Sequence, residues 1–287
     1  MDRRIIDLYY EYTHRPLPRR VFLRRLAGIA GGSAAAMALL PLLENNWARA
    51  ALVDPNDARL ETGRLEYPGA GASMRAYYAR PRRAAAKLAA VVVIHENRGL
   101  NAHIEDVARR AALEGFFALA PDALSPLGGT PKDEDAARAA IGRLDRKRTI
   151  ANLVAAVDYL AARPDSTGKI GCVGFCWGGG MANQLAANSS RLAAAAPFYG
   201  PGADAAEVPR IKARLLLHYA ERDPWVNSGI AGYEAALKAA GISYTAHSYP
   251  GTDHAFHNDT AGVRYNREAA ELAWKRTIAF FKQHLGA

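Results

Sequence analysis

The chain has 287 residues, half of them apolar and 23% charged, with a net charge of +9, 25 glycines, 15 prolines and two cysteines. That apolar fraction, with charges of both signs, excludes a disordered or collagen-like chain, and two cysteines exclude a disulfide scaffold or a four-cysteine zinc site. Residues 1–50 carry +4 of the charge and the remaining 237 carry +5, with no basic stripe or interleaved aromatics, which argues against nucleic-acid binding.

The first fifty residues read as an address. Pro18-Arg19-Arg20-Val21-Phe22-Leu23-Arg24 opens a positive stretch, a weakly apolar run rich in small residues follows over 26–40, and Ala48-Arg49-Ala50 closes it with an A-x-A pattern. This is the order of an export signal, and the paired arginines resemble the twin-arginine type, whose partner is the twin-arginine translocation machinery. The expectation is a signal over 1–50, cleavage near Ala50, and a periplasmic or exported mature protein with one domain over 51–287. The alternative is an uncleaved signal that anchors the chain, although the run is short and glycine-rich for a spanning helix. Residues 1–15, with Ile5-Ile6-Asp7-Leu8-Tyr9-Tyr10, receive no role in this reading.

Beyond the address, strand and helix alternate. Residues 63–67 and 73–79 alternate apolar and polar as an antiparallel entry hairpin would. Leu88-Ala89-Ala90-Val91-Val92-Val93-Ile94-His95 is a continuous apolar run, the mark of a strand buried on both faces. Similar runs recur at 115–121, 169–175, 192–199, 213–219 and 242–249, with helical patterns between and after them at 102–114, 149–163, 178–188, 230–240 and 264–284. The fold class is therefore α/β: one mainly parallel sheet with helices on both faces, whose chemistry sits past the carboxyl ends of its strands.

Those ends hold the candidates. Gly174-Phe175-Cys176-Trp177-Gly178 is a G-x-S-x-G nucleophile elbow with cysteine in place of serine. The turn is so tight that a side chain on either flank would strike neighbouring backbone, and Cys176 is expected to be strained with its thiol at a helix N-terminus. The Trp177 N–H is placed as an oxyanion donor. Cys172, in mid-strand, reads as a buried inert thiol, and a disulfide between the two is disfavoured because their side chains diverge. Asp223 follows the strand at 213–219 and His254 follows the next, the chain order of acid and base after the nucleophile. Taken singly, Asp223 also fits a turn cap before Pro224, and His254 a solvated loop histidine. His247 and His257 supply no metal-ligand spacing, so no metal and no cofactor is expected. In the loop after the first buried strand, Asn97 offers the second oxyanion N–H, while Glu96 reads either as a functional carboxylate or as a solvated acid paired with Arg98.

With those residues the chain resembles the dienelactone hydrolase (carboxymethylenebutenolidase) family of α/β-hydrolases over about residues 60–285. The motifs that carry the likeness are His95-Glu96-x-x-Gly99-Leu100, Gly174-Phe175-Cys176-Trp177-Gly178-Gly179, and the Asp223 and His254 loops. The resemblance implies an α/β-hydrolase fold, a Cys176–His254–Asp223 triad, and Glu96 hydrogen-bonded to a resting neutral thiol. It also implies an acyl-enzyme route from a small lactone or activated ester to the ring-opened acid. An arginine that holds the substrate carboxylate in the family is replaced here by Asn258; Arg98, Arg138 and Arg143 are the other cations available for binding. A broader carboxylesterase or thioesterase, and a non-catalytic periplasmic ligand-binding protein, are the alternative functions.

Overall fold

The computed structural model describes residues 1–15, 17–46, 51–84 and 87–286. The A-x-A pattern at Ala48–Ala50 lies outside them.

Three helices come first: α1 (Arg3–His14), α2 (Arg19–Ala30) and α3 (Ser33–Leu43). The Asp2 side chain caps α1 by accepting from the Arg4 N–H at 2.9 Å. Gly31 ends α2 in the left-handed region at φ 84°. Buried Ile5, Leu8, Tyr9 and Tyr12 recur at helical spacing along one face of α1. With Phe22, Leu26, Leu40 and Leu43 they form a small apolar core of their own. No single described helix is long and apolar enough to cross a membrane; α2 and α3 pass that test only as a pair, bent by 110°.

The sheet has eight strands: β1 (Leu60–Pro68), β2 (Ser73–Pro81), β3 (Leu88–Ile94), β4 (Phe117–Pro121), β5 (Ser166–Phe175), β6 (Leu192–Phe198), β7 (Arg214–Arg222) and β8 (Tyr244–Asp253). Their spatial order is β1-β2-β4-β3-β5-β6-β7-β8. The β1–β2 hairpin is antiparallel and joins β4 antiparallel, and every other pairing is parallel. The connecting helices are α4 (Ala102–Leu113), α5 (Glu134–Ile141), α6 (Arg146–Ala162), α7 (Trp177–Asn188), α8 (Pro224–Asn227), α9 (Ile230–Ala239) and α10 (Arg267–Leu285).

Strand β3 shows why the sheet is covered twice. Val91 and Val93 point into the core that holds Val107, Phe281 and Leu285 from α4 and α10. Ala90, Val92 and Ile94 point into the opposite core with Leu153, Leu185 and Leu237 from α6, α7 and α9. Each fully buried valine or isoleucine contributes roughly 1.5–3 kcal/mol, so a continuous apolar run is stable only between two helical layers.

The predicted strands and the five predicted helices are present with ends shifted by a few residues. The largest shift is useful: β8 runs on to Asp253 because it stays paired with β7 as far as Arg222–Asp253. His254 therefore leaves the sheet edge directly. The sequence reading did not assign α5 or the helices of the first 43 residues.

Candidate active site

The nucleophile position is built by backbone crowding. A Cβ on Gly174 would collide with the carbonyl oxygen of Gly178, and one on Gly178 with the carbonyls of Ile94 and His95. Both positions must lack a side chain, and β5 can then pass straight into α7. Cys176 sits between them at φ 56°, ψ −117°, a conformation that L residues rarely adopt. Among the described residues the other non-glycine positive angles are at Tyr199 and Ala255, the first next to β6 and the second next to His254. All three line the same end of the sheet. Cys176 is 5% exposed. It precedes α7, so Trp177 is the first residue of that helix and its N–H has no acceptor within it.

Asp223 does two things at once. It caps α8 by accepting from the Val226 N–H at 3.3 Å, and its other carboxylate oxygen lies 2.5 Å from His254 Nδ1. The capping and catalytic readings are thus compatible. The His254 Nε2 is buried and makes no hydrogen bond. Burial opposes a charge on this ring, but the Asp223 carboxylate and the Cys176 sulfur outweigh it and raise His254 to about 10. The imidazolium is thus the form favoured once the sulfur has lost its proton, with Asp223 on the ring's other side.

The loop after β3 is braced from beneath. His95 is fully buried, with Nδ1 at 2.7 Å from the Glu96 carbonyl and Nε2 accepting from the Ala123 N–H at 3.1 Å. Its ring stacks on Trp177 at 5.3 Å between centroids, and burial lowers its pKa. This pins Glu96 and Asn97 beside the elbow. Glu96 is buried and accepts from Asn258 Nδ2 at 2.6 Å; its Oε1 has no hydrogen-bond partner.

Two expectations are corrected here. Glu96 does not pair with Arg98, whose buried guanidinium instead meets Glu134 at 3.3 Å and Asp135 at 3.6 Å. Nor does Glu96 hold the thiol: its Oε2 accepts from Asn258, its Oε1 makes no hydrogen bond, and the sulfur meets a different residue. Asn258 is itself fully buried and accepts from both the N–H and the hydroxyl of Thr260, so it serves as a bracket for Glu96. Arg138 donates to the Tyr12 carbonyl and lies over the Tyr12 ring.

The thiol's actual partner comes from α1. His14 Nε2 lies 3.2 Å from Cys176 Sγ. Tyr10 packs edge-on against His254 at 4.9 Å, and His14 does so at 4.7 Å. Asn97 Nδ2 donates to the Thr13 carbonyl at 2.8 Å. Sequence reading left 1–15 without a role; the usable signal was the Ile5, Leu8, Tyr9, Tyr12 stripe, which predicts a packed helix rather than a solvated leader. His14, Cys176 and His254 each bring a donor atom within 4.8 Å of the others.

Two cavities meet at the sulfur. A polar one of about 20 Å³, among Glu96, Asn97, Cys176, His254 and Asn258, has room for one water. The other, about 670 Å³, extends from Cys176 and Trp177 past Leu17, Ile141, Met181 and Trp225. Elsewhere, Cys172 is a fully buried free thiol pushed up by burial, as expected for an inert residue. His257 is packed against Phe175 and Phe198 in the core, and His247 lies on β8 near His218.

A doubly covered, mostly parallel sheet with a glycine-flanked elbow after β5 defines an α/β-hydrolase. The chain belongs to the dienelactone hydrolase family, whose profile matches residues 74–285, and it is a hydrolase of that kind. It is 31% identical over 247 residues to an Escherichia coli K12 protein named "Putative carboxymethylenebutenolidase", covering 81% of this chain and 90% of that one. It is 33% identical over 236 residues to a Bradyrhizobium protein named "Probable 2-oxo-3-(5-oxofuran-2-ylidene)propanoate lactonase", covering 75% and 91%. The Klebsiella pneumoniae crystal structure of a "Putative Dienelactone Hydrolase" superposes with a TM-score of 0.72 at 28% identity, covering 78% of this chain and 99% of that one.

Proposed function

We propose that this hydrolase opens a lactone or activated carboxylic ester through a Cys176 acyl-enzyme. The observation that carries the reading is Cys176 strained on its elbow beside a buried His254–Asp223 pair. In the proposed cycle the thiol proton passes to His254 Nε2, where Asp223 stabilises the cation. The sulfur bonds to the substrate carbonyl carbon as the carbonyl electrons move to oxygen, which the Trp177 and Asn97 N–H groups receive. Collapse breaks the acyl C–O bond, and the departing oxygen takes the proton from His254. Water oxygen then bonds to the thioester carbonyl carbon while His254 takes its proton; the C–S bond breaks and the sulfur takes that proton from His254, leaving a hydroxy acid and the free thiol. Glu96 lines the water-sized cavity and orients that water.

The family, and the lactone in the name of the Bradyrhizobium relative, support a cyclic substrate. The 670 Å³ cavity with its Trp177 and Trp225 walls supports a second reading, an esterase or thioesterase for acyclic acyl groups. A panel of lactones, aryl esters and thioesters run against wild type, Cys176→Ser and Cys176→Ala separates them. Cys176→Ala is expected to lose turnover by about 10⁴-fold or more, and intact mass on a slow substrate to show a thioester adduct. Turnover of every substrate by Cys176→Ala would end this reading.

Export by the twin-arginine route is proposed from Arg19-Arg20 and the small-residue run alone. The packing of α1–α3 on the catalytic domain supports the alternative in which this segment is retained. Fractionation of the wild type against a lysine pair at positions 19 and 20 tests the route; equal distribution would refute it.

A further inference from the structure

Every described hydrogen bond of the Cys176, His254 and Glu96 side chains but one comes from the catalytic domain itself. The exception is His14, 162 residues from the cysteine in sequence and 3.2 Å from it in space. Its ring has little freedom. Nδ1 lies 3.0 Å from the Tyr10 carbonyl and 2.9 Å from Thr13 Oγ1, whose own proton goes to the Tyr9 carbonyl at 3.0 Å; both then act as acceptors, so Nδ1 carries the proton and Nε2 presents a lone pair to the sulfur. Tyr10 stacks on the same ring at 4.1 Å between centroids.

We propose that His14 is a positioning residue of the active site: its Nε2 accepts the hydrogen bond of the resting Cys176 thiol and holds that proton away from His254. This rests on the reading of Cys176 as the nucleophile. It gives α1 the place that the resemblance assigns to Glu96, whose Oε2 accepts from Asn258 and whose Oε1 makes no hydrogen bond. A hydrogen bond to the neutral form of an acid disfavours its ionisation. The thiol is therefore kept protonated until His14 withdraws and the sulfur turns to the unpartnered Nε2 of His254.

The charged and titratable groups around the pair are few. Tyr9 and Tyr10 lie on α1 itself, Glu96 and Arg98 follow β3, Tyr199 follows β6, Asp223 follows β7, and His254 and Arg264 follow β8. His14 is held neutral, well below its ordinary value, chiefly by burial and secondarily by His254. A neutral acceptor is what the contact requires. The second consequence concerns specificity: Thr13, His14 and Leu17 form one wall of the large cavity, so substrate meets the N-terminal segment as well as the elbow.

The test is the pH profile of Cys176 alkylation by iodoacetamide in the full-length chain, for wild type, His14→Ala and His14→Phe. The phenyl ring keeps the cover and removes the acceptor. Both variants should show a lower alkylation midpoint, by about one pH unit, and hence a roughly tenfold faster reaction at neutral pH. A wild-type midpoint in His14→Phe would reduce His14 to steric cover and overturn the proposal. So would isolation of the active enzyme from its host with an N-terminus beyond residue 14. Alkylation needs no substrate, so an inactive protein with the expected shift refutes the hydrolase mechanism alone, and an active one without the shift refutes this inference alone.

Discussion

The two cores of the sheet and the small core of α1–α3 use the same kinds of side chain, yet they are joined to the molecule in different ways. Val91, Val92 and Phe281 are buried between the strands and the helices that cover them. The N-terminal helices keep their apolar residues largely to themselves and meet the catalytic domain across a polar seam. Along it Arg3 pairs with Asp253, Tyr12 donates to Asp135 at 2.5 Å, Asn97 donates to the Thr13 carbonyl, and Arg264 donates to Asn45 Oδ1 at 3.0 Å. Each such hydrogen bond exchanges with water at a net cost of about 1 kcal/mol, while apolar burial in the sheet is forfeited outright on opening. The seam should therefore open long before the sheet does, which suits a cover that must admit substrate.

The sharpest division between the regions is chemical. Asp223→Asn keeps a side chain able to cap α8 but removes the charge beside His254, and kcat/KM should fall by about 10⁴-fold with little change in thermal stability. Steady-state kinetics beside calorimetry measures both. A fall below tenfold would mean that the His254–Asp223 pair is structural.

Packing mutants come next. Phe281→Ala, between α10 and the sheet, should cost about 3–5 kcal/mol and move the main unfolding transition. Phe22→Ala removes a ring stacked on Tyr12 at 4.4 Å, and its cost should stay local. Hydrogen exchange would then quicken in α1–α3 while the main transition holds. If Phe22→Ala instead lowers that transition as far as Phe281→Ala, the two regions unfold as one.

Acid should separate them further. His14 is neutral when packed and ordinarily titrates near 6.5, so its contribution is present above that pH. As pH falls through it, the released segment gains a proton that the packed one cannot, and the seam opens. Exchange protection of α1 should drop several-fold between about pH 7.5 and 5.5, and His14→Phe should remove most of that dependence. His218 and His257, likewise held neutral by burial, belong to the sheet and should affect the main transition instead. The smallest effect is expected at the seam's edge. Arg3→Ala removes the pair with Asp253 from a side chain that is 40% exposed, worth about 0.5 kcal/mol or less and screened by salt. Exchange in α1 at low and high salt would show it.

Much of the catalytic domain was legible because its signals are local. An apolar run such as 88–95 can be stable only between two layers, and glycines at 174 and 178 mark places where a Cβ has no room. Strand ends then bring Cys176, Asp223 and His254 to one edge, since parallel strands all point the same way. What tertiary structure alone decided was the choice among equivalent partners. Glu96 could have met Arg98 or the thiol and went to Asn258, and Arg98 went to Glu134 and Asp135. The first fifty residues carry the composition of a leader, and the same arginines, small residues and aromatics also suffice for three packed helices. No local rule ties His14 to a cysteine 162 positions away; that contact exists only because a helix with one apolar face found a surface whose polar groups match its end.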